Sequence, residues 1–268
     1  SCHNHTCPFL CVQKVVESKI MVNKYAVVKW SFFSSVTQKQ AIACFCVFSI
    51  ACIFSSITMP SISYLEVLLS LFDGYRLDGL NIPEFLRYVI LRLAPIYLIS
   101  FSFSASIERD SYFRVRLYKC SEWKKTIEYA ALLVEALFVV LQIVTSLAYF
   151  FSSPLQGQGM TIYGDNLIVC VLPLITFLEI YMSILLFFNV YFLSKNSVFS
   201  FLLLFFLYLI SAIWNIPFYP FGLSAWVRIQ YLTPDLAASF ISAALVLFVA
   251  ILILHQLLNV SVKKFLLR

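Results

Sequence analysis

The stretch NLIVCVLPLITFLEIYMSILLFFNVYFLSKNSVFSFLLLFFLYLISAIW, Asn166 to Trp214, decides the architecture of this chain. It holds two apolar runs, the first with Glu179 as its one charged side chain, the second with none, separated by Ser194, Lys195 and Asn196. A helix rising 1.5 Å per residue needs about 20 apolar residues to cross a hydrocarbon core of roughly 30 Å. The pattern therefore predicts two spanning helices, Asn166 to Leu193 and Val198 to about Trp214, joined by a tight turn. Pro173 is expected to kink the first. Neither run alternates in polarity, and the chain has only six glycines, so the pattern disfavours an outer-membrane barrel and points to helices as the spanning solution.

The same pattern extends in both directions. Ala41 to Pro60 is a first span, Arg87 to Ile107 a second, Glu128 to Phe151 a third, and Leu236 to about Leu257 the last, giving six transmembrane helices in all. Of 268 residues 62% are hydrophobic and 12% charged, with a mean hydropathy of +0.91, whereas a soluble domain carries about 25% charged residues. The expected fold is an all-α polytopic membrane protein. It divides into a cytoplasmic tail and amphipathic helix (1–40), a six-helix transmembrane domain (41–257) and a cytoplasmic C-terminal tail (258–268).

The connectors have their own readings. Lys14, Lys19, Lys24, Lys29 and Lys39 recur among Val27, Val28, Trp30, Phe32 and Phe33, the mark of a basic amphipathic helix on a membrane surface. Leu65, Leu68, Leu69, Leu71 and Phe72 suggest a short interfacial helix before the turn formers Asp73, Gly74, Asp78, Gly79 and Pro83. Assigning alternate connectors to opposite faces puts fifteen Lys and Arg on one side and only Arg76, Arg87, Arg92 and Arg228 on the other. The richer side is cytoplasmic. Both termini are then inside, and the expected location is the plasma membrane. The net charge of +6 is a topology signal, since the cations flank apolar runs and form no stripe for nucleic acid.

Catalytic patterns are absent. There is no H-E-x-x-H, no G-x-S-x-G, no paired acidic motif, and no glycine is followed by lysine, so a phosphate-binding loop is missing too. The chain is expected to have no enzymatic activity or cofactor of its own. Cys2, His3, His5, Cys7 and Cys11 offer zinc-type ligands, but their spacing is not that of a finger, and the N-terminal stretch, which shows no cleavable signal pattern, is expected to be an inert tail. Cys44, Cys46, Cys52 and Cys170 lie inside apolar runs and read as small hydrophobes, not a disulfide framework. The sequons at Asn4 and Asn259 fall on the cytoplasmic side and read as chance matches.

Charged residues inside spans are costly and are functional candidates by default. Glu135 and Glu179 are the candidates for a substrate route or proton relay. Arg92 is expected to snorkel to the outer surface, the alternative being an acidic partner. Between the second and third spans, Glu108 to Thr126 mixes cations with aromatics beyond what topology requires. Arg109, Tyr112, Arg114, Arg116, Tyr118, Lys119 and Trp123 are the candidate docking surface for a cytoplasmic partner.

This layout resembles the small six-span permease subunits of type 2 ABC exporters of the bacterial peptide-antibiotic and immunity type. Lys24 to Lys39 is similar to that family's connecting helix. ERDSYFRVRLYKCSEWKKTIEYAALLVEALFV, Glu108 to Val139, is similar to its coupling loop running into the third span. PFGLSAWVRIQYL, Pro220 to Leu232, with Gly222, Ser224 and Arg228, resembles its re-entrant or extracellular element. The resemblance implies a permease half that pairs with a second, identical or homologous, permease subunit and with ATPase subunits that bind ATP and Mg. Its cargo would be a peptide or an amphiphilic, lipid-like molecule. Two other classes remain open: a non-transporting receptor or assembly subunit, with Trp214 to Tyr231 as its outer surface, and an intramembrane lipid-modifying enzyme, for which only Glu135 and Glu179 are available.

Overall fold

A computed structural model describes residues 42, 45–50, 53, 69, 72, 74, 81–109, 120–152, 166–214 and 216–266. The helices are α1 (Ile82–Arg109), α2 (Cys120–Ser152), α3 (Asn166–Ser194), α4 (Ser197–Ile213), the four-residue α5 (Trp226–Ile229) and α6 (Leu236–Leu266). Residues 45–50 are helical as well, and no strand occurs among the described residues. The Lys- and Cys/His-rich N-terminal region, most of the first apolar run and the segment 110–119 lie outside the described residues.

The hairpin expected over Asn166 to Trp214 is present. α3 ends because Lys195 turns into the left-handed region (φ 57°), where its N–H still donates to the Tyr191 carbonyl at 2.7 Å. Asn196 then starts α4: its side chain accepts the Phe199 N–H at 3.0 Å, satisfying one of the donors that a helix start leaves open. Ser183 and Tyr208 lie equally far from this turn and join across the hairpin, hydroxyl to hydroxyl, at 3.1 Å. α3 continues as one helix through Pro173.

α3 is the central element. It packs against α6 along much of its length and also meets α4, α2 and α1. Among the described residues three helices are long and apolar enough to cross a membrane, through Ala131–Ala148, Ile168–Ser194 and Leu236–Lys264, and 61% of the α3 segment is buried against 22% of that in α6. α6 instead turns Ile241, Leu245, Phe248, Leu252 and Ile253 outward, an apolar face suited to lipid. α4 is apolar but shorter, at 17 residues. The helical residues 45–50 rest on α2, where Phe45 stacks on Phe138 (5.1 Å between ring centroids) and Phe48 meets it edge-on (4.9 Å).

Four elements differ from expectation. α1 starts at Ile82 and runs to Arg109, while α2 already begins at Cys120, so helix extends into both flanks of the charged connector. Hydropathy marks only the apolar part of a helix, and Glu122, Lys124 and Lys125 are good helix formers. Leu69 and Phe72, expected at an interface, pack against the core instead, with Phe72 fully enclosed. α6 continues past Leu257 to Leu266. Its start matches: Asp235 Oδ1 accepts the Ala237 N–H at 3.2 Å, and the Thr233 N–H donates to Ser239 Oγ at 3.1 Å.

Candidate functional site

Between α4 and α6 the chain folds back toward the middle of α3. Phe218 (φ 60°) and Gly222 (φ 79°) take left-handed conformations, and residues 221–225 are all buried. A non-helical segment enclosed among apolar helices must find partners for its peptide groups without water. Two charged side chains supply them. The carboxylate of Glu179 on α3 accepts the Gly222 N–H at 3.0 Å and the Ser224 N–H at 2.6 Å, one on each oxygen. Arg228 on α5 does the complementary work, donating from Nη1 to the Phe221 carbonyl (2.8 Å) and from Nη2 to the Ile216 carbonyl (2.5 Å). Its Nη1 also donates to Ser211 Oγ of α4 at 2.6 Å, which ties the folded-back segment to the helix that precedes it.

α1 completes the site. Tyr88 and Arg92, one helical turn apart, present one face. The Tyr88 hydroxyl lies 3.2 and 3.4 Å from the two Glu179 oxygens and shares a 3.1 Å hydrogen bond with Ser224 Oγ. Arg92 donates from Nε to Ser224 Oγ (3.2 Å) and from Nη2 to Thr176 Oγ1 (3.3 Å). Its guanidinium carbon stands 4.7 Å from the centre of the Tyr88 ring and 5.8 Å from that of Phe72. Arg92 and Glu179 are both fully enclosed; they interact electrostatically but are joined through Ser224 and Tyr88, not by a direct ion pair. Among the described residues Arg92 Nη1 has no hydrogen-bond acceptor.

Arg92 therefore does not snorkel. Its burial is tolerated because hydroxyls of two other elements meet its donors, an aromatic face lies against it and a carboxylate is near. Gly74 closes the same region: the Arg87 guanidinium reaches its carbonyl at 3.5 Å, and a Cβ built there would stand 2.4 Å from the Ala225 Cβ.

The two carboxylates singled out from the sequence occupy different places. Glu135 on α2 is fully buried, faces the main chain of Tyr181, and neither of its oxygens makes a hydrogen bond among the described residues. Two turns earlier, Glu128 pairs with His255 Nδ1 of α6 at 2.9 Å. Among the described residues no hydrogen bond joins Glu135 to the Glu179 network. Of the docking candidates, Arg109 ends α1 and Trp123 lies in the first turn of α2, while Tyr112, Arg114, Arg116, Tyr118 and Lys119 lie outside the described residues. Cys46 and Cys170 are free thiols. Among the described residues no group of three or more His, Cys, Asp or Glu is placed to hold a metal ion.

Tyr88, Thr176 and the enclosure of Arg92 were not singled out from the sequence. Two signals point to them: the i, i+4 pairing of Tyr88 with Arg92, and the polar row Thr176, Glu179, Ser183 on one face of an apolar helix. The arrangement is a chain of hydrogen bonds that locks a folded-back segment onto three helices. No protein-family model matches the chain, and no curated protein and no solved structure matches it. What the molecule itself defines is an all-helical protein whose long apolar helices fit a membrane.

Proposed function

We propose that the chain is the permease subunit of an ATP-driven exporter in the plasma membrane, with six spans and both termini cytoplasmic. The three long apolar helices would be joined as spans by α1, by α4 and by the run Ala41 to Pro60. The substrate class is a peptide or an amphiphilic, lipid-like molecule. ATP and Mg are bound by a separate ATPase subunit, which docks on the segment from Arg109 to Trp123, and a second permease subunit completes the path.

One observation carries this reading: a non-helical segment is held against mid-α3 by buried charges, Glu179, Arg92 and Arg228, among helices whose outer faces are apolar. A passive anchor or scaffold would be held as well or better by apolar packing. Hydrogen bonds between charged groups and a loop can instead break and reform as discrete states, which alternating access requires. With the Lys195 turn at the cytoplasmic boundary, Glu179 stands about 22 Å along a core of roughly 30 Å. The folded-back segment then closes the outer end of the path, and Glu135, which faces the main chain of Tyr181, stands at nearly the same depth as Glu179.

The test is the set of proteins that co-purify with the detergent-solubilised chain. A nucleotide-binding subunit is expected, and reversing charge at Arg114, Arg116 and Lys119 should strip it while the helical content stays unchanged. An undiminished complex in that triple variant would remove the docking role, and the absence of any nucleotide-binding partner would sink the exporter reading.

A further inference from the structure

The Arg92 guanidinium is pinned along one edge and bare on the other. Nε and Nη2 share the edge that faces Ser224 and Thr176, and the rings of Tyr88 and Phe72 stand near the charged carbon. Among the described residues Nη1 has no acceptor, although the side chain is fully enclosed. An enclosed donor left unpaired is costly, the more so when it carries charge. The acceptors that Arg92 does have are neutral hydroxyls. The nearby carboxylate of Glu179 is already engaged by two main-chain N–H groups and the Tyr88 hydroxyl. An arginine held in one orientation with its end-on donors unused is complementary to a planar or tetrahedral oxyanion approaching that end.

We propose that Arg92 is the recognition point for the anionic group, a carboxylate or a phosphate, of an amphiphilic ligand. The oxyanion accepts from Nη1 and the free side of Nη2, while the apolar chain lies against the rings of Tyr88 and Phe72 that flank the guanidinium. Phe72 covers the guanidinium, so entry displaces that ring. That the ligand is cargo rests on the permease reading; that an anion binds at Arg92 does not.

The experiment is isothermal titration of the full-length chain in a non-ionic detergent with three amphiphiles of equal tail length: dodecyl phosphate, dodecanoate and dodecyltrimethylammonium. Saturable binding of at least one anion and none of the cation is expected. Preference for dodecyl phosphate assigns the site to lipid-like headgroups, and preference for dodecanoate to peptide-type carboxyl ends. Arg92→Lys, which keeps the charge but lacks the fork, should weaken anion binding about tenfold. Phe72→Ala, which uncovers the guanidinium, should tighten it severalfold, a gain that misfolding cannot mimic. Equal binding of cation and anions, no binding of either anion, or the same affinity in wild type, Arg92→Lys and Phe72→Ala would overturn the proposal. An ATPase partner without anion binding removes this site alone, and anion binding without an ATPase partner removes the exporter reading alone.

Discussion

Glu179 shows how a single side chain sets the terms for its surroundings. Its two oxygens terminate the N–H groups of Gly222 and Ser224, and its charge offsets that of Arg92 nearby. Glu179→Ala is expected to lower stability by about 3–5 kcal/mol, because it leaves an arginine and two peptide donors enclosed and uncompensated. Thermal unfolding in detergent reads this directly. Replacing Arg92 and Glu179 together by Met should cost less than the sum of the two single changes, by about 1–3 kcal/mol. Additive losses would mean that the two charges do not sense each other. Glu179→Gln keeps one acceptor oxygen; a variant with unchanged transport and ATPase stimulation would take Glu179 out of the transport cycle. Gly74 is a second such position. With φ at 88° and a Cβ destined for 2.4 Å from that of Ala225, Gly74→Ala should cost about 1–3 kcal/mol. Adding Ala225→Gly should recover part of the loss, since it restores the space but not the backbone preference.

Contacts between elements follow the same economy of polar groups. Asn189 of α3 donates to the Leu254 carbonyl of α6 at 3.0 Å and accepts from Ser261 at 2.9 Å, a clamp on the most extensive helix pair among the described residues. Asn189→Leu should weaken the α3–α6 pairing by about 0.6–2 kcal/mol, and Ser261→Ala by less, read as the midpoint of unfolding in increasing sodium dodecyl sulfate. Equal stability of all three proteins would assign the pairing to van der Waals packing alone. Ser261 belongs to the sequon at Asn259, which lies within α6, so the hydroxyl of that tripeptide is already committed to helix packing.

For the whole molecule, the paired apolar runs of α3 and α4 and the capped start of α6 were legible because their signals are local: Lys195 and Asn196 interrupt two long runs, and Asp235 precedes the last. The site was half legible. Glu179 stands out as a carboxylate in an apolar run, and Gly222, Ser224 and Arg228 were singled out together. The fate of Arg92 was not, because its partner Ser224 lies 132 residues away and no local window contains both. The extent of α2 was missed for a different reason, since helix propensity and lipid solubility part company at its charged start. The proposed orientation has a direct check in a cysteine-free background. Asn196→Cys should react with a membrane-impermeant maleimide only after cells are opened, and Asp235→Cys in intact cells. Labelling of both from the same side would invalidate the topology.

The groups that satisfy the Glu179 carboxylate lie on both sides of it in chain order. Tyr88 has left the ribosome before α3 is made, but Gly222 and Ser224 are translated 43 and 45 residues after Glu179. Nascent α3 must therefore wait in the insertion machinery with its acid only partly matched until α4 and the segment behind it emerge. A message cut short after Ile213 would yield a chain whose central helix never receives those partners, and quality-control proteolysis is its expected fate.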